Sequence, residues 1–111
     1  MIEIIRGTTP SIDVELENLD SVKDIEFNLK QNANGIHISL IKTLKAGEIE
    51  MHDTYFRVNL SEADTFKFSA GAGWVQIRLL SFGNKISSSE EEEIEFLDSL
   101  SHKTLSTGGT R

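Results

Sequence analysis

An all-β domain, built from short strands in two facing layers, is the fold class that this chain of 111 residues predicts. Two observations carry that reading. Apolar residues recur at every second position through most of the chain, which is the period of a strand with one buried face. Clusters of turn-forming residues separate these runs at short, regular intervals, as in a sandwich or a small barrel.

Taken in order, the elements are as follows. The first strand lies in Met1–Arg6 and ends at Gly7-Thr8-Thr9-Pro10. Proline fixes φ and carries no N–H, so pairing should lapse or pass to the other sheet there. Ile12, Val14 and Leu16 then alternate with Asp13, Glu15 and Glu17, and Ile25, Phe27 and Leu29 with Glu26, Asn28 and Lys30. Asn34-Gly35 is a strong hairpin signal, because both residues tolerate positive φ. It leads into Ile36, Ile38 and Leu40. Ala46-Gly47, His52-Asp53 and Gly83-Asn84 mark further turns.

Phe56, Val58 and Leu60 form the next alternating run. Ser61-Glu62-Ala63-Asp64 follows, a serine cap with acids in the first turn, and predicts one brief helical turn between strands. Ala70-Gly71-Ala72-Gly73 reads as a turn. Trp74 to Phe82 is apolar on both parities and reads as a central strand covered on both faces for part of its length.

Ser87–Leu100 supports two assignments. Ser89 and Glu92 have capping-box spacing, with Ile94, Leu97 and Leu100 at helical intervals. Ile94 and Phe96 also alternate with Glu93 and Glu95, as in an edge strand. About seven short strands result. Without the cysteine–tryptophan pattern of a true immunoglobulin domain, the antiparallel β-sandwich is at most immunoglobulin-like. A single domain over residues 1–98 and a flexible tail over 99–111 are expected.

Composition narrows the function. Eighteen acids against eleven bases give a net charge of −7, which disfavours sequence-independent nucleic-acid binding and attraction to anionic membranes. The start has no basic flank followed by a long apolar run, and no stretch approaches the roughly 20 apolar residues of a membrane span, so a soluble protein is expected. No cysteine is present, which excludes disulfides and thiolate metal sites.

No catalytic, cofactor or metal site emerges from the residues. His37, His52 and Glu48 or Glu50 have a suitable ligand chemistry for zinc, but their spacing matches no ligand pattern. Glu90–Glu93 lacks the interleaved glycine and carbonyl donors of a calcium loop, and better suits the charged protection of a strand edge. Neither Ser87-Ser88-Ser89 nor the glycines at 71 and 73 stand in a nucleophile or phosphate-loop context. Trp74 and Tyr55 are the candidates for an aromatic sugar platform, set against the commoner use of such residues in a core or interface.

Several segments resemble a family of small proteins encoded in prophages and tailed phages of Firmicutes and gut bacteria. They are Ile4–Pro10, Ile25–Gln31, Val58–Phe68, Val75–Arg78 and Gly83, in matching order over about residues 2–97. The resemblance implies an immunoglobulin-like sandwich, a strand over Ile94–Leu97, and a non-enzymatic structural or assembly role in the virion, at the tail or baseplate. Its partners would be other phage structural proteins or further copies of the chain, after synthesis in the bacterial cytoplasm. Ala70–Gly73 and Glu90–Glu93 depart from the family pattern. Met1, Ile2, Ile4, Trp74, Ile94 and Phe96 are the expected interface residues, through strand addition by either end of the chain. The competing class is a glycan- or ligand-binding module centred on Trp74.

Overall fold

In the computed structural model, which describes residues 2–99, the alternating runs become nine strands, one 3₁₀ turn and one short helix. The strands are β1 (Ile2–Ile5), β2 (Ser11–Glu15), β3 (Val22–Ala33), β4 (Ile36–Thr43), β5 (Ile49–Met51), β6 (Tyr55–Asn59), β7 (Gly71–Ser81), β8 (Ile86–Ser88) and β9 (Glu92–Leu97). The helix is α1 (Glu62–Phe66). The larger sheet has the order β1-β9-β7-β3-β4, with β8 on the same flank of β7 as β9, and the smaller has the order β2-β6-β5.

Period two decides what the two sheets share. Ile25, Phe27 and Leu29 of β3, Val75 of β7, Ile94 and Phe96 of β9, and Ile4 of β1 are buried from the larger sheet. Phe56 and Val58 of β6 and Ile49 of β5 meet them from the smaller one in a single core cluster. Leu19, Leu60 and Phe68, from segments outside the strands, are buried in the same cluster, and Phe68 stacks on Phe96 at 4.4 Å.

Local chemistry accounts for the joints. Pro10 marks the passage from β1 in one sheet to β2 in the other, and its carbonyl accepts from Leu60 N at 3.0 Å. Asn34 and Gly35 take φ of 53° and 78°, the mirror-turn geometry of a two-residue hairpin between β3 and β4. Ser61 and Asp64 close a full capping box on α1.

The structure corrects three expectations and decides one that the sequence leaves open. The strands number nine among the described residues, and β1 and β9 run parallel, so the sheet is not purely antiparallel. Gly71–Gly73 is not a turn but the start of β7, opposite Ile94–Phe96, where the absence of a side chain at Gly73 admits the Phe96 ring. Phe82 lies in the turn after β7 and is 67% exposed; it shares the parity of Trp74, which faces away from the core, so the apolar run is not covered on that face at its end. Ser89–Glu92 caps no helix: Ser89 N donates to Ile77 O and its hydroxyl accepts from Ile77 N, joining β8 to β9 along β7. The segment is strand, as the resemblance implied. The expected tail over 99–111 lies outside the described residues except for Ser99.

Candidate interaction surfaces

Of the expected interface residues, Ile4, Ile94 and Phe96 are each 1% exposed and belong to the core. Their apolar character is used within the chain, because the first and last strands pair with one another in register Ile2↔Ile94 and Ile4↔Phe96. Ile2 is half-buried and packs against the same core. Met1 lies outside the described residues. What remains available at the start of the chain is the open backbone edge of β1.

Trp74 is the exception. It stands half-buried on the outer face of the larger sheet, in register with Lys30 on one side and Glu93 on the other. Lys30, Asn32, His37, Trp74 and Glu91 line a shallow depression of about 250 Å³. Lys30 and Glu91 close one side with an ion pair at 2.9 Å. Tyr55 is not part of it: it lies on β6 in the smaller sheet and stacks on His52 at 4.5 Å. The two-aromatic platform is therefore not assembled.

Nor do the zinc candidates meet. His37 is on β4 and His52 follows β5, in different sheets. Among the described residues no three histidines or acids gather in metal-ligand geometry. His52 Nε2 is buried without a hydrogen-bond partner and lies 3.6 Å from Glu50 Oε1. Glu92 and Glu93 extend β9 beyond the stretch Ile94–Leu97 that β1 covers, so the acidic run guards the uncovered part of an otherwise internal strand.

Two charge networks hold the surface. Arg57 Nε and Nη2 donate to both oxygens of Asp13 at 2.7 and 3.1 Å, across the β2–β6 ladder. That paired bond lowers the Asp13 pKa and raises that of Arg57. Lys42 points inward from β4 and reaches Asp64 at 3.1 Å and Glu48 at 3.7 Å. Burial opposes the Asp64 charge, but the Ser61 N–H and the Lys42 ammonium outweigh it and hold the Asp64 pKa below the usual carboxylate value.

The surface that sequence reasoning missed is the free edge of β4. Leu44 N donates to Ile25 O at 3.0 Å, directly across the β3–β4 register. Antiparallel ladders alternate, so Ile36, Ile38, Leu40 and Lys42 bond to β3, while His37, Ser39, Ile41 and Thr43 turn their N–H and C=O groups outward. Glu48 occupies both groups of Thr43, its side chain accepting from Thr43 N and its N–H donating to Thr43 O. Six outward groups remain, on His37, Ser39 and Ile41, with no partner shown among the described residues. A stretch of eight residues with one charge was a visible signal, but its place at the end of a sheet was not.

No protein-family model matches the chain, and no curated protein matches it in sequence. Besides the open edges, Phe82 and Ile86 stand 67% and 61% exposed around the β7–β8 turn. Among the described residues no helix is long and apolar enough to cross a membrane.

Proposed function

We propose that this chain is a non-enzymatic structural or assembly module of a phage or prophage particle, of tail or baseplate type, working through protein–protein contacts. The observation that carries the reading is the open β4 edge, whose outward backbone groups at His37, Ser39 and Ile41 can form main-chain hydrogen bonds to another polypeptide. A repeating assembly needs such surfaces more than it needs a cleft. The resemblance to prophage and tailed-phage proteins supports the same reading, together with an immunoglobulin-like kinship of the two-sheet fold. On this account the chain is made in the bacterial cytoplasm and either enters the virion or is used in building it.

The test is to induce the host's prophage, purify particles and assembly intermediates, and search both for this chain by mass spectrometry. Its peptides are expected in at least one of the two. Absence from both, with the chain present in the cell lysate, overturns the proposal.

A second reading rests on the depression around Trp74, where an aromatic ring lies beside Lys30, Asn32, His37 and Glu91. Its volume of about 250 Å³ is just below the usual range for small-molecule pockets, and suits one sugar unit stacked on the indole. A glycan array with the native chain and with Trp74→Ala decides it. Binding lost in the variant favours the ligand module, and no binding by the native chain removes it.

A further inference from the structure

Five strands leave an open edge among the described residues: β1, β4 and β8 in the larger sheet, β2 and β5 in the smaller. An open edge is a template for pairing, and proteins ordinarily guard it by shortness, charge, proline or a bulge. Four of these edges are guarded by charge or shortness. β1 has four residues including Glu3, β2 carries Asp13 and Glu15, β5 has three residues including Glu50, and β8 is only three residues long. β4 is eight residues long and holds no acid, although the chain carries eighteen. Its one charge, Lys42, is turned inward to Asp64 and Glu48. Ile41, on its outer face, is 51% exposed.

The outward groups of β4 are also self-complementary. When a second β4 is laid antiparallel with Ser39 opposite Ser39, His37 of each copy faces Ile41 of the other. All three pairs then fall at hydrogen-bonded positions, and the six free groups of one copy meet the six of the other. The same register sets Ile38 against Leu40 twice on the inner face and Ile36 against Lys42 at the ends, so no like charges are opposed. Self-pairing of β1, β2 or β5 would instead bring glutamate or aspartate side chains together, in a molecule whose net charge of −7 already repels its copies.

We propose that β4 is a self-pairing edge, through which two copies of this chain join into one continuous sheet about a two-fold axis at Ser39. The inference deepens the reading of the chain as a module of protein contacts, and names its partner as a second copy.

Sedimentation of the full chain up to about 1 mM, where even a millimolar association is half formed, should show an average mass that rises with concentration from the monomer's toward twice that value. Ser39→Pro removes an outward N–H that bonds to nothing within the chain, and should hold the mass at the monomer's while circular dichroism stays that of a β-protein. The chain has no cysteine, so Ser39→Cys introduces a single thiol at the proposed axis. Facing Cα atoms at a hydrogen-bonded pair lie about 5.5 Å apart, within reach of a disulfide. Mild oxidation should link Ser39→Cys into a dimer and leave Asp53→Cys, in the exposed turn after β5, unlinked. If Ser39→Pro fails to fold, the cysteine pair decides alone. A monomer throughout with Ser39→Cys unlinked overturns self-pairing, even if particles contain the chain. A linked dimer absent from particles and intermediates keeps self-pairing and removes the phage assignment.

Discussion

The side-chain amide of Gln31 and the backbone of Ser69 exchange two hydrogen bonds, Nε2 donating to Ser69 O at 2.7 Å and Oε1 accepting from Ser69 N at 2.8 Å. Nε2 also donates to Ala72 O at 3.3 Å. Gln31 is 3% exposed, so these bonds form away from water. One amide thereby does for Ser69 and the start of β7 what a neighbouring strand would do: it satisfies a donor and two acceptors that the β3–β7 ladder does not reach.

Gln31→Met keeps the side chain's length and removes both bonding groups. The Ser69 N–H and two carbonyl oxygens lose their partner, and a loss of about 0.5–1.5 kcal/mol is expected in urea denaturation at neutral pH. Gln31→Glu should be worse, because a carboxylate replaces the donor facing two carbonyl oxygens. Protonation restores a donor, so part of that excess should disappear at acid pH. A glutamate variant as stable as the methionine variant at pH 7 would refute the assignment.

Gly73 makes a second, steric prediction. A Cβ there would fall 2.6 Å from Phe96 Cε2 and 2.9 Å from the backbone oxygen of Lys30. The ring cannot simply retreat, since Phe96 is 1% exposed and stacked on Phe68. Gly73→Ala should cost about 1–3 kcal/mol through overpacking. Gly83→Ala is the control: its Cβ would meet only Ser81 Oγ at 3.7 Å, and its effect should stay within about 1 kcal/mol, tending to stabilise. Equal midpoints for the two variants in thermal unfolding would count against the close approach.

These residues also show what the sequence made legible. Pro10, Asn34-Gly35 and Ser61–Asp64 act through bonds within a few residues, and each appears in the structure as its local chemistry predicts. Alternation correctly separated inward Ile25, Phe27 and Leu29 from their outward neighbours. Gly73 looks like a turn in sequence because the Phe96 ring that needs its bare backbone lies twenty-three positions away. Ile4 and Phe96 look like interface residues because nothing near either one in sequence shows that they share a parallel ladder. The β4 edge is invisible for the same reason. Period two says which face a residue takes, but strand order decides whether an edge is covered.

Thr65 tests the joint between the sheets. Its buried Oγ1 donates to Thr8 O at 2.9 Å and accepts from Gly7 N at 2.9 Å, tying the β1–β2 crossing to α1. Thr65→Val preserves shape and removes the hydroxyl. Gly7 N–H is then left without that acceptor, and a loss of about 1–3 kcal/mol is expected. Thr65→Ser, which retains the oxygen, should lose less. Hydrogen exchange localises the effect: amide protection should fall at Gly7 in the valine variant and persist in the serine one.

Asp64 gives a pH dependence with a definite sign. Its carboxylate accepts from Ser61 N at 2.8 Å and pairs with Lys42 at 3.1 Å, and its side chain is only 14% exposed. The folded pKa lies below the ordinary aspartate value of 3.8. A depressed folded pKa means that the unfolded chain takes up the proton first as pH falls. The stabilisation is therefore fully present above about pH 4, and is lost as pH drops from there through the lower folded pKa. Asp64→Asn removes the charge that Lys42 meets, and should cost about 0.3–2 kcal/mol at pH 7, the range for an acidic side chain in the first turn of a helix. As pH falls below about 4 the difference between native and variant chains should shrink, because the native chain alone loses this contribution. Denaturant titrations of both chains across that interval measure it. A difference that stays constant, or grows toward acid, would mean that the Asp64 carboxylate is not held in the folded state by Ser61 and Lys42.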